Sequence, residues 1–339
     1  MAIELNGQSK RIGLALSGGG FRSAAFHLGV MRQLEALGLL GKLDLISCVS
    51  GGSIAGASVA LNWQAQNRLG PLDSYLRTQS IAVASFIGGA LDIFETRLEK
   101  LADSYDKHLV GGKTLAALSA GPRLYLNATN LATGNLFFFV SGGGKPSELG
   151  EYELGVIEAP AFPLSLAVAA SSAFPPVFPP LRLGPDRYQP RAEFAMEYVT
   201  LTDGGVYDNM GINPLLAKRN ALDYLIVSDG GKPFALDSRP TESGAIVLKA
   251  GLDIMMEQIR GLEFDRLEHR ALAGVGPKPM WFSIDSTEGE AQAGDAAFAS
   301  AIDTNLRRLS EAEMNVLTRH GAALVKARLE RYAPELLAG

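Results

Sequence analysis

Ser50 stands in Cys48-Val49-Ser50-Gly51-Gly52, between an apolar run that reads as a strand, Leu43 to Val49, and a small-residue run that reads as a helix from Ser53 to Asn67. A sharp strand-to-helix turn lifts a serine hydroxyl above the end of a sheet, where it can attack a carbonyl. Glycine is favoured beside it because neighbouring backbone passes close by. The helix behind the turn also offers unpaired N–H groups to a developing anion. The usual pattern has glycine two places before the serine, and here that place is Cys48. Cysteine is small and often buried, so close packing can survive the exchange. Taken alone, the run reads equally well as a Gly/Ser-rich loop with no chemistry.

A second stretch, Gly18-Gly19-Gly20, also follows a strand and opens a helix. Three amides without side chains can converge on one negative oxygen, as an oxyanion hole does. Nucleotide binding fits less well. The dinucleotide fingerprint needs glycine where the chain has Ser23, and no Gly-Lys-Ser/Thr run is present. Arg22 lies in the first turn of that helix, where a cation opposes the helix dipole. A ligand phosphate or an acidic partner would account for it; so would a plain surface arginine.

The third stretch supplies the base. Asp203 closes a strand, Tyr198 to Thr202, and is followed by Gly204-Gly205. It can accept the Ser50 proton directly if desolvation raises its pKa from the reference of about 3.9. Asp229-Gly230-Gly231 has the same shape, and Asp208 is a third nearby carboxylate, so motif shape alone does not separate them. Each also reads as a turn aspartate bonding its own backbone. The chain has four histidines, His27, His108, His269 and His320, and none follows a strand in a glycine-rich loop. A triad through His269 is formally open but less favoured than a Ser50–Asp203 pair.

Positioning these groups requires an α/β protein. Arg11 to Ser17 is a short apolar strand. Ala24, Ala25, Leu28, Met31, Leu34 and Leu37 follow at helical spacing, with Gly38 as the stop. Strand–turn–helix then recurs around Ser50, which points to a mostly parallel sheet flanked by helices. Further strands are predicted at Arg123 to Leu131, Tyr198 to Thr202, Leu222 to Ser228 and Met280 to Ile284. Long helices are predicted at Ala245 to Ala273 and Thr304 to Leu329. Gly142 to Pro146 reads as a loop, and Ser141 to Gly150 as a segment free to move. No linker divides residues 1–339, so one domain is expected, with the motifs in 11–215 and helices over 245–335 completing it.

Composition narrows the class. The 339 residues are 47% hydrophobic and 20% charged, with a formal charge of −5, which argues against a general nucleic-acid binder. The lone Cys48 cannot form an internal disulfide. The beginning carries no signal-peptide pattern, and the most apolar window, Pro160 to Pro180, is broken by Pro163, Pro175, Pro176 and Pro179. A cytoplasmic protein is expected, peripheral to a membrane or exported without a leader as variants of that expectation. The run Ile81 to Phe94, IAVASFIGGALDIF, reads as a buried helix or as a lid that meets lipid.

Together these residues resemble the patatin-like phospholipase family. Ser17 to Arg22 is similar to its oxyanion block, Val49 to Ser53 to its nucleophile block, Ala170 to Pro180 to its proline-rich turn and Asp203 to Asn209 to its aspartate block. They come in the family's order. The resemblance implies a three-layer α/β/α sandwich and a Ser-Asp dyad of Ser50 and Asp203, with Gly18, Gly19 and Gly20 as oxyanion hole. It favours Asp203 over Asp229. The Gly-Gly-Gly-Phe-Arg run is similar to that of cytosolic phospholipases of the A type, which implies a phosphate-headgroup contact for Arg22. The implied activity is cleavage of fatty acyl esters of phospholipids or related lipids, with no metal or cofactor. A lipid-binding protein with little turnover and an esterase or thioesterase for soluble acyl groups are the competing expectations.

Overall fold

The computed structural model describes residues 3–5, 7–81, 94–194, 196–234 and 244–337. Strands β1 (Ile3–Leu5) and β2 (Gln8–Lys10) form a small hairpin ahead of the main sheet. Then follow β3 (Ile12–Leu16), α1 (Gly20–Ala36), β4 (Leu43–Val49), α2 (Gly51–Leu61), α3 (Gly70–Thr78) and α4 (Phe94–Tyr105). The middle of the chain gives β5 (Arg123–Asn130), β6 (Leu136–Gly142), β7 (Lys145–Glu151), β8 (Gly155–Glu158), α5 (Leu164–Ser171), β9 (Leu181–Leu183) and β10 (Val199–Asp203). Last come α6 (Gly205–Asp208), α7 (Asn213–Leu216), β11 (Tyr224–Asp229), α8 (Gly244–Ala273), β12 (Lys278–Ser283), α9 (Asp295–Ala301) and α10 (Glu311–Tyr332).

Among the described residues ten strands make one mixed sheet with the central order β12-β11-β3-β4-β5-β6-β7-β8. The pairs from β12 to β5 are parallel, and those from β5 to β8 are antiparallel. β10 lies antiparallel to β5, and β9 to β10. The parallel arrangement expected from the sequence therefore holds on one side only. Its strands are covered on both faces, which is why β3 reads as an unbroken apolar run, IGLAL, buried throughout. Helices α1, α2, α5 and α10 contribute to the larger core on one face. On the other face Leu215 and Leu216 of α7 and Leu267 of α8 close a smaller one.

Several expected elements shift. The last helix begins at Glu311 rather than Thr304, because Ser310 and Glu313 form a capping box that starts it there. Ser141 to Gly150 is no free segment: it holds the turn and most of the second strand of a β6–β7 hairpin. Ser141 Oγ bonds Leu115 O at 2.7 Å, and Arg123 reaches Pro146 O and Glu148, both at 2.5 Å. Of the apolar run Ile81 to Phe94, residues 82–93 lie outside the described residues.

At the β12 edge of the sheet, Lys278 and Ile284 donate to Asp223 O and Asp229 O, so Pro279, Trp281 and Ser283 turn their backbone groups outward. Pro279 has no N–H to offer. Arg328 Nε caps Trp281 O at 3.1 Å, and Ser286 Oγ accepts from Ser283 N at 3.1 Å.

Candidate active site

β4 runs straight into α2, and the residue at the junction is Ser50. Its backbone sits at φ 52° and ψ −116°, a left-handed region that a side chain enters only under constraint. The constraint comes from three directions. Ser50 N donates to Ser171 O at 3.1 Å, at the end of α5. Ser171 Oγ in turn donates to Asn127 O on β5 at 2.5 Å and pairs with Ser53 Oγ at 2.7 Å. Gly52 N donates to Ser17 O at 3.1 Å, and a Cβ on Gly52 would fall 2.1 Å from Leu16 O, so only glycine allows β3 and the turn to approach this closely.

Cys48 leaves the turn undistorted. It keeps its register with Leu16 on β3 and Leu126 on β5. Its Sγ occupies the space a Cβ on Gly56 would need, 2.3 Å away, so the helix supplies the room that the strand does not. Burial pushes this thiol well above its ordinary pKa, which makes it an inert packing group.

Asp203 ends β10, where Asp203 N bonds Ala173 O at 3.1 Å and Thr129 Oγ1 bonds Asp203 O at 2.8 Å. Its side chain is 1% exposed. Oδ1 accepts from Gly205 N at 2.7 Å, while Oδ2 is buried without a hydrogen-bond partner among the described residues. The Ser50 hydroxyl interacts with this carboxylate and favours its charged form, without reaching hydrogen-bonding geometry on Oδ2. Burial dominates and raises the carboxyl to about 7, against the smaller lowering by Gly205 N–H and Ser50.

The rival acids are committed elsewhere. Asp229 Oδ2 accepts from Arg260 Nε at 2.6 Å in a buried ion pair, and Asp229 Oδ1 accepts from Gly231 N. Asp208 accepts from Gly211 N, Asn213 N and Asn213 Nδ2, and it faces Glu263, whose carboxyl burial pushes up to about 11. The histidines are also placed apart. His27 is buried between Ser228 Oγ and Ser17 O, and burial lowers it to about 4. His320 bonds Ile284 O, His269 bonds Asp265 O within α8, and His108 is exposed.

The glycine turn meets the serine directly: a Cβ on Gly18 would lie 3.2 Å from Ser50 Cβ. Gly18 does not offer a free donor, because its N–H is used by Asn209 O at 3.0 Å. The amides of Gly19, Gly20 and Gly51 make no hydrogen bond among the described residues and are the available donors. Arg22, expected to contact a phosphate headgroup, lies inside the protein. It is 0% exposed, and its guanidinium is turned into the protein toward Gly230 O and Ile302 O. An arginine at the start of a helix is tolerated here because the backbone carbonyls of Gly230 and Ile302 receive it.

Two contributors carry no sequence signal of their own. Ser171 lies in a small-residue block where nothing marks it as the strut of the turn. Asn209 closes the aspartate block without a role of its own there, and its Oδ1 fills the space between Gly18 and Gly205. Two cavities lie elsewhere: one of about 440 Å³ is bounded by Phe264, Trp281 and Tyr332, and another of about 320 Å³ by Tyr152, Tyr207 and Arg219. Neither is lined by Ser50 or Asp203, and it is the chemistry of those side chains that marks the candidate site. Among the described residues no His, Cys, Asp and Glu group is arranged to hold a metal ion, and no helix is long and apolar enough to cross a membrane.

Comparison with known proteins places the fold. The fold is similar to human GIVD cytosolic phospholipase A2, with a TM-score of 0.62 at 12% identity, over 96% of this chain and 60% of that one. The same protein in complex with methyl gamma-linolenyl fluorophosphonate gives 0.59 at 13% identity, over 97% and 59%. This chain thus spans about three-fifths of the length of the structures it matches. No curated protein sequence matches significantly. The family model described as patatin-like phospholipase matches residues 14–216, a span that holds Gly18 to Arg22, Ser50 and Asp203, and the chain belongs to the patatin-like phospholipase family.

Proposed function

We propose that the protein is a serine lipid acyl hydrolase of the phospholipase A or lysophospholipase type, with Ser50 as nucleophile and Asp203 as general base. The observation that carries this reading is the meeting of a strained, positive-φ serine with a buried carboxyl whose Oδ2 has no hydrogen-bond partner among the described residues. A base poised at about 7 has the protonation state and the driving force that proton abstraction needs.

Asp203 takes the proton from Ser50 Oγ as Oγ bonds to the acyl carbonyl carbon. The oxyanion that forms is held by the amides of Gly19, Gly20 and Gly51. Collapse breaks the bond to the leaving oxygen, and Asp203 returns its proton to that alcohol. A water then loses a proton to Asp203 and attacks the acyl-serine ester. The fatty acid leaves, and the proton goes back to Ser50 Oγ. The family and the likeness to a phospholipase A2 support a lipid ester as substrate.

The test is a fluorophosphonate probe followed by peptide mapping. Labelling is expected on Ser50 alone. A label on another residue, or none on a folded protein, overturns the assignment.

A further inference from the structure

Arg22 is fully buried, yet no carboxylate among the described residues forms an ion pair with it. The acids closest in charge are committed: Asp229 to Arg260 at 2.6 Å and Asp303 to Lys232 at 2.8 Å. Its donors go to backbone. Nε and Nη2 reach Gly230 O at 3.2 and 3.1 Å, and Nη1 reaches Ile302 O at 2.7 Å. Burial lowers its pKa to about 10, so the guanidinium still carries its charge at neutral pH.

That fork closes around Gly19. A Cβ on Gly19 would meet Gly230 O at 2.8 Å and Arg22 Nη2 at 2.9 Å, and Gly19 itself holds φ 137°. The 230 loop is anchored in turn, because Gly230 N donates to Ser17 Oγ at 2.7 Å and Ser17 N to Ser228 O at 3.2 Å. On the far side Phe21 N bonds Asn305 O at 2.9 Å. The turn that carries the free amides is thereby clamped between two distant segments, with an unpaired positive charge directly behind it.

We propose that Arg22 is a positioning residue for acyl transfer: it fixes the Gly19–Gly20 amides against the Gly230 and Ile302 carbonyls, adds positive potential behind the oxyanion, and does not touch the lipid headgroup. This rests on the reading of Ser50 as nucleophile. Lysine keeps the charge but loses the fork, and glutamine loses both.

The experiment compares Arg22→Lys and Arg22→Gln with the wild type on phosphatidylcholine vesicles and on a phosphate-free p-nitrophenyl ester, with rates normalised to fluorophosphonate-titrated sites. A misplaced reacting geometry costs about 10²-fold in rate, so kcat should fall by that order on both substrates with KM nearly unchanged. Arg22→Gln should lose more than Arg22→Lys. A KM increase confined to the phospholipid, or full kcat in both variants, overturns the proposal. If the Arg22 variants do not fold, Ser17→Ala loosens the same loop with the guanidinium in place. It should lower kcat equally on both substrates, and full kcat would overturn the proposal. A crystal structure of Arg22→Gln gives an arm independent of turnover: the Gly18–Gly20 turn should be displaced, and an unmoved turn overturns the proposal. Absence of acyl release by the wild type, by contrast, refutes only the underlying reading of Ser50.

Discussion

Arg260 Nε meets Asp229 Oδ2 at 2.6 Å inside the protein, and this contact sets Asp229 apart from Asp203. Asp229→Asn should therefore destabilise the fold, by about 1–3 kcal/mol, because the charge-assisted bond is lost while Arg260 keeps Glu257 and Asp285 as partners. Denaturant titration measures that loss. Folded Asp229→Asn should keep its chemical step, whereas Asp203→Asn should fold and release no fatty acid. Turnover by Asp203→Asn near the wild-type rate would remove Asp203 from the mechanism.

The pH profile of kcat/KM should report Asp203. Its carboxyl must be ionised to accept the Ser50 proton, so activity should rise through about pH 7 and level off above it. His269→Ala should leave the profile in place, since His269 is engaged with its own helix. A profile that follows His269 would indicate a triad.

Asp203 also makes stability depend on pH. Its pKa is raised from 3.8 to about 7 on folding, so between those values the folded state binds more protons than the unfolded one. Its contribution to stability is complete below about 4 and declines as pH rises through about 7. Asp203→Asn removes the buried charge. Its melting temperature should exceed that of the wild type at pH 8, and the gap should shrink toward pH 5.

Gly56 and Cys48 should behave as one unit. Gly56→Ala puts a Cβ 2.3 Å from Cys48 Sγ and should destabilise the protein by about 1–3 kcal/mol through overpacking. Adding Cys48→Gly should recover much of that loss. A double-mutant cycle with no coupling would contradict the contact.

The serine turn also has a strut whose removal can be measured. Ser171→Ala deletes the bonds that Ser171 Oγ makes with Asn127 O and Ser53 Oγ and the one it accepts from Ser50 N at 3.2 Å. The turn keeps the bond from Ser50 N to Ser171 O, so the protein should fold. Fluorophosphonate labelling of Ser50 should slow by about 10-fold or more as the hydroxyl loses its fixed direction.

The elements around Ser50 were legible because strand, turn and helix follow one another within a few residues, and local patterns report local structure. The β6–β7 hairpin was not. Its second strand, KPSELGE, is polar and glycine-flanked, and long-range partners such as Arg123 hold it. The same limit applies at the site. Asp203 and Asp229 share one motif shape, and only an arginine 31 residues beyond Asp229 tells them apart. For Arg22 the sequence offers a headgroup contact or a plain surface cation, because it gives the helical turn but not the Gly230 and Ile302 carbonyls that receive the side chain.

The rim formed by β12 has a consequence for how copies of this protein meet. A strand approaching there finds a proline with no donor, a carbonyl already taken by Arg328 and an amide already taken by Ser286. Sheet-to-sheet growth from that side is thus refused by the backbone itself. Any association along this flank must be built from side chains, which leaves it open to tuning by single substitutions and closed to the indiscriminate stacking that bare strands invite.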